Sequence, residues 1–100
     1  MRSSIYSMKE KLFLWSSEQG AWYFLPITKK VGVELKERYG KYAKGFRSLP
    51  VEVTIGETTW QTSIFPDKSS GSYILPVKAA VRKAEDMCSG DQVSFALRVR

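Results

Sequence analysis

Apolar and polar positions along this chain change period several times, and each change marks an element. Residues 10–16, EKLFLWS, and 21–27, AWYFLPI, are short runs rich in aromatic and branched side chains, separated by SEQG. They predict two strands joined as a hairpin. Thr28 then offers a side-chain oxygen as N-cap, Val31 and Leu35 fall on one face at i, i+4, and Gly40 is placed to end a helix in a left-handed conformation. Gly32 inside that helix costs about 1 kcal/mol against alanine. Next, Val51, Val53 and Ile55 alternate with Glu52 and Thr54 as in a half-buried strand. Gly56-Glu57 suits a tight turn with glycine first, leading into TTWQTSIF at 58–65 as the hairpin partner. A loop through Pro66, Asp67 and KSSG leads to a strand SYILP (72–76), a helix VKAAVRKAEDM (77–87) and a closing strand DQVSFALRV (91–99).

Two of these junctions resemble one another. YFLPITKKV at 23–31 aligns without a gap on YILPVKAAV at 73–81, and each copy spans a passage from strand to helix. Proline fits there because it fixes φ and donates no hydrogen bond, which suits a strand that stops pairing as a helix begins. The chain therefore reads as two strand-helix-strand units with extra hairpin partners, related by a pseudo-twofold. A β-rich chain must manage its sheet edges, and closing into a small barrel with the two helices as caps does so. The expected fold is mainly β with two helices: about six strands in one pseudo-symmetric barrel domain over residues 1–100.

Composition narrows the chemistry. A chain of 100 residues with 43% apolar residues supports one packed core. There is no histidine and a single cysteine, Cys88. Histidine-based catalytic triads, the usual zinc and iron ligand sets and an internal disulfide are thereby removed. The glycines match no phosphate-cradling nucleotide motif. No cofactor or metal is expected, and the paired carboxylates of a general acid and base are missing, so the chain reads as non-enzymatic. The N-terminus, MRSSIYSMKEKLFLW, lacks a signal-like apolar stretch and nothing approaches a membrane span. A cytoplasmic location and no membrane partner follow as expectations.

GETTWQTSIFPDKSSGSYILPVKAAVRKAEDMCSGDQVSFAL, preceded by LWSSEQGAWYFLP, resembles the bacterial domain-of-unknown-function 1905 family across nearly the whole chain. The resemblance implies a double-split β-barrel capped by helices, distantly related to the swapped-hairpin barrels of AbrB-type regulators. It implies no activity, because the family has none established. It leaves open whether the chain is a monomer or a weak homodimer.

Two surfaces are candidates for binding. Residues 29–47, KKVGVELKERYGKYAKGFR, hold seven of the sixteen basic residues and two of the ten acidic ones, so +5 of the net +6 lies there. Lys29, Lys30, Lys36, Arg38, Lys41, Lys44 and Arg47 are available to phosphates, with Tyr39, Tyr42 and Phe46 to stack on bases. The leading functional expectation is thus nucleic-acid or other polyanion binding. The bland alternative is a solvated helix face on which Glu34 and Arg38 pair at i, i+4 and Tyr39 or Phe46 packs on the core. The second candidate is a small-ligand or peptide pocket where Trp22, Trp60 and Thr62 meet Lys78 and Arg82, with Trp15 or Trp22 as a wall. Its bland alternative makes the tryptophans core filling and pairs Arg82 with Asp86.

Overall fold

The apolar run at 10–16 does not form one strand, because the chain breaks it at Leu12. In the computed structural model, which describes residues 4–100, β1 (Tyr6–Lys11) pairs antiparallel with the last strand, β7 (Gln92–Val99). Beyond Leu12, β2 (Phe13–Ser17) instead pairs with β3 (Gly20–Pro26). Leu12 is fully buried, its N–H donates to the Asp91 carbonyl at 2.9 Å, and its carbonyl accepts the Gly90 N–H at 2.7 Å. Strict alternation would send Leu12 and Leu14 to one face. The kink buries Leu12 and leaves Leu14 exposed. This break raises the strand count from the expected six to seven.

The remaining strands are β4 (Leu49–Ile55), β5 (Thr58–Asp67) and β6 (Ser72–Pro76), and the order across the sheet is β1-β7-β4-β5-β6-β3-β2, antiparallel throughout. β5 pairs with β4 over Thr58 to Ile64 and then with β6 over Phe65 to Asp67. It therefore belongs to both halves of a sheet curled into a half-barrel. Val51, Val53 and Ile55 of β4 and Val93, Phe95, Leu97 and Val99 of β7 fill the core at alternate positions as expected. Gly56 has φ +56° and Glu57 does not share the positive value, consistent with a glycine-first hairpin turn.

The two Tyr-x-Leu-Pro segments lie side by side. β3 and β6 pair with Leu25 opposite Leu75, both fully buried. The Ile27 N–H donates to the Tyr73 carbonyl and the Val77 N–H to the Tyr23 carbonyl, both at 2.9 Å. This seam has a local twofold between the leucines, and each proline marks the point where its strand gives way to a helix.

Helix α1 (Lys29–Tyr39) follows the first proline and buries Leu35, with Val31 half-buried beside it. Thr28 stands at its N-cap, yet its hydroxyl makes no capping bond. Gly40 is right-handed (φ −55°, ψ −33°), so the helix does not stop there but tightens into a 3₁₀ turn, Gly40–Tyr42, followed by another at Gly45–Arg47. The left-handed residues come later and are not glycines: Phe46 has φ 58° and Arg47 φ 59°. Helix α2 is Ala79–Ala84, shorter than the expected 77–87. Asp86, left-handed at φ 53°, ends it: the Asp86 N–H donates to the Lys83 carbonyl and the Met87 N–H to the Arg82 carbonyl. This is a Schellman closure with aspartate where glycine is usual. Residues 1–3, the start of the N-terminal segment expected to carry no targeting signal, lie outside the described residues. No helix among the described residues is long and apolar enough to cross a membrane.

Gly32 has a packing reason. A Cβ at this position would collide with Oγ of Ser72, a buried side chain that donates to the Ile27 carbonyl at 2.8 Å. The bare helix face lets α1 settle on β6. Gly32→Ala gains about 1 kcal/mol of helix propensity and loses about 1–3 kcal/mol to overpacking. We expect a net lower urea midpoint; a stabilised Gly32→Ala protein would contradict this packing. Phe46 is 91% exposed, so its ring contributes little to the core. Replacing it with glycine removes a left-handed penalty of about 1–2 kcal/mol and adds about 0.5–1 kcal/mol of chain entropy. Phe46→Gly should therefore leave thermal stability unchanged or raised, whereas a clear drop in Tm would show that the ring supports the fold.

Candidate functional site

The basic stretch is divided by the fold rather than displayed as one face. Lys29 and Lys30 open α1, whose first turn contains no acidic residue. They lie at the far end of the helix from Lys36. Arg38 is committed to structure: its Nη1 lies 3.3 Å from Glu34 Oε2, 2.8 Å from the Tyr6 hydroxyl and 3.0 Å from Ser4 Oγ. The Tyr6 hydroxyl also donates to Glu34, at 2.9 Å. Burial, and secondarily the bond to Glu34, pushes the Tyr6 phenol above its ordinary pKa and keeps it neutral. This cluster ties α1 to β1. Lys44 is exposed and lies outside the groove wall, while its N–H closes the loop by donating to the Ser48 carbonyl at 2.8 Å.

Lys36, Lys41 and Arg47 do come together. They line a wide groove of about 1050 Å³ between the end of α1, its two 3₁₀ turns and the loop after β5. Phe46 stands at this groove with its ring almost wholly in solvent. Tyr42 is 61% exposed beside Lys41, whose Nζ lies 5.3 Å from its ring centroid, but Tyr42 is not a groove wall. Tyr39 packs half-buried against the core, as the bland reading of that residue expects. Two neighbouring non-glycine residues held at positive φ are costly and persist only where the surroundings impose them. Here they project an aromatic ring and a guanidinium at the groove.

Lys68, on the loop after β5, is the fourth cation of the groove and was missed by reading the basic stretch alone. Its loop is remote in sequence and carries no local signal of the meeting. Asp67 beside it is the opposing charge. Hydrogen bonding from Ser70 and Ser69 in the following turn holds its carboxyl below the usual carboxylate range. The Ser69 hydroxyl sits 3.0 Å from Asp67 Oδ1.

The second candidate is assembled in full. Trp22, Trp60, Thr62, Lys78 and Arg82 all line one cavity of about 260 Å³, together with Tyr23, Gln61 and Pro76. Arg82 does not pair with Asp86. Its guanidinium lies 3.7 Å above the centre of the Tyr23 ring and its Nε donates to the Val77 carbonyl at 3.1 Å. Only Trp60 is core filling; Trp15 and Trp22 are 52% and 42% exposed and pack against each other at a tilt of 39° with centroids 5.4 Å apart. Trp15 itself stays outside the cavity.

Three carboxylates outside these sites have structural partners or structural positions. Asp91 accepts the Cys88 N–H at 2.8 Å, Glu85 accepts the Thr58 hydroxyl at 2.6 Å, and Asp86 closes α2. Burial raises the Tyr73 phenol above its ordinary pKa, so it keeps its proton at neutral pH. Among the described residues no three metal-ligating side chains gather.

No curated protein matches the chain. A family model, described as a domain of unknown function (DUF1905), matches residues 9–97, a span that takes in both the groove and the cavity. The chain belongs to the DUF1905 family.

Proposed function

We propose that this protein is a non-catalytic binding module for single-stranded nucleic acid, held in the groove beside α1. The observation that carries the reading is the convergence of Lys36, Lys41, Arg47 and Lys68 around a groove at which Phe46 is presented to solvent. Cations along a groove neutralise successive phosphates and release their counterions. An exposed ring adds stacking, which needs an unpaired base and so favours a single strand over a duplex. Arg47 adds a planar guanidinium suited to phosphate. Nothing in this chemistry selects a base sequence. The strained Phe46-Arg47 backbone fits a surface kept for binding at a cost in stability.

Fluorescence anisotropy with labelled oligothymidylate tests the reading. Four phosphate contacts on a single strand predict a log-log salt slope of about −3. Lys41→Ala, Arg47→Ala and Lys68→Ala should each weaken binding and flatten that slope by about 0.7. Phe46→Ala should cost about 1–3 kcal/mol of affinity with the slope unchanged. Lys29→Ala with Lys30→Ala should change affinity much less than any groove variant. Absence of binding at low salt, or equal sensitivity to Lys29 and Lys30, would overturn the proposal.

Asp67 gives a test of opposite sign. The Asp67→Asn variant retains an oxygen for the Ser69 turn but removes the negative charge, so it should bind oligothymidylate more tightly than the parent protein does. An unchanged or weaker affinity would place the strand away from this groove.

A further inference from the structure

We infer that the cavity between β3, β5 and α2 is a second binding site, for a small aromatic carboxylate. Its walls come from three separate parts of the chain: Trp22 and Tyr23 on β3, Trp60 on β5, and Pro76, Lys78 and Arg82 at the passage from β6 into α2. Aromatic rings and a proline give a planar apolar slot. Two cations border it, and the ion pairs found among the described residues, Arg38–Glu34 and Arg98–Glu52, use neither of them. An apolar slot edged by two uncompensated cations selects a ligand that is apolar at one end and anionic at the other.

Arg82 is held in place before any ligand arrives. Its plane rests on Tyr23 and its Nε is taken by the Val77 carbonyl, so the Nη groups remain to grip an anion from a fixed position. Preorganisation of this kind lowers the entropy lost on binding. A guanidinium fork matches the two oxygens of a carboxylate. Lys78, exposed at the mouth of α2, adds a mobile second charge. Gln61 and Thr62 line the same space and supply hydrogen-bonding groups. The volume of about 260 Å³ accommodates one ring system with its acidic group.

This site is independent of the groove. Its ligand is met by different residues on a different helix, so either reading can fail without the other.

The test uses the full chain labelled with nitrogen-15, titrated with phenylacetate, indole-3-acetate and 1-naphthylacetate while the indole N–H signals of the tryptophans are followed. At least one acid should bind with a Kd of about 1 mM or tighter, the affinity expected of a ligand this small. Shifts should centre on Trp22 and Trp60. The matching neutral amide should bind about tenfold more weakly, as should the acid to Lys78→Met or Arg82→Met protein. Trp22→Leu, at a half-exposed position, removes a wall without opening the core and should weaken acid and amide alike. Lys41→Ala and Arg47→Ala should leave the acid's Kd unchanged. The inference is overturned if no acid binds with a Kd of about 1 mM or tighter, if acid and amide bind equally, or if the shifts lie outside the cavity.

Discussion

The pairing of β3 with β6 at Leu25 and Leu75 is the contact on which the rest of the molecule depends. Both leucines are fully buried, and the reciprocal bonds from Ile27 and Val77 to the tyrosine carbonyls close the seam on either side. Truncating a leucine in such a position costs about 2–5 kcal/mol. Because each strand turns into a helix directly beyond its proline, the seam also fixes where α1 and α2 leave the sheet. The groove uses Tyr73 and the cavity uses Tyr23, the corresponding residues of the two segments.

The same junction is finished differently on its two sides. Beside α1, Gly32 meets Ser72 with no room for another carbon. Beside α2, the corresponding positions carry Arg82 and Trp22, whose bulk borders the cavity. Small residues bring helix and sheet into contact; large ones leave a space with rings and a cation around it. Two differently shaped surfaces, a groove and a cavity, thus flank one local backbone arrangement through the choice of side chains.

Much of the fold is legible in the sequence because burial imposes a period. The alternation in β4 and β7 and the glycine-first turn at Gly56 are examples. Leu12 was not legible: the run around it is apolar throughout, so periodicity alone could not reveal a change of partner strand. The end of α2 was missed because Asp86 adopts the left-handed conformation usually assigned to glycine, and Gly40 misled for the opposite reason. The suggested neighbours Trp22, Trp60, Thr62, Lys78 and Arg82 do meet around one cavity, but strand alternation assigned Gln61 to the opposite face from Trp60 and Thr62 and so did not single it out as a lining residue. The groove was half foreseen. Charge counting found Lys36, Lys41 and Arg47 but included Arg38, which Glu34 and Tyr6 engage, and omitted Lys68, which only the path of β5 delivers.

The central proposal is that the folded groove, rather than the basic stretch as a whole, receives a single strand. Backbone amide shift mapping during titration with a short oligothymidylate addresses that directly. Binding in the groove should concentrate perturbations on Lys36, Lys41, Phe46, Arg47, Lys68 and Gly71, with Lys29, Lys30 and the cavity around Trp60 left quiet. Shifts centred on the first turn of α1, or spread evenly over every exposed lysine, would contradict it.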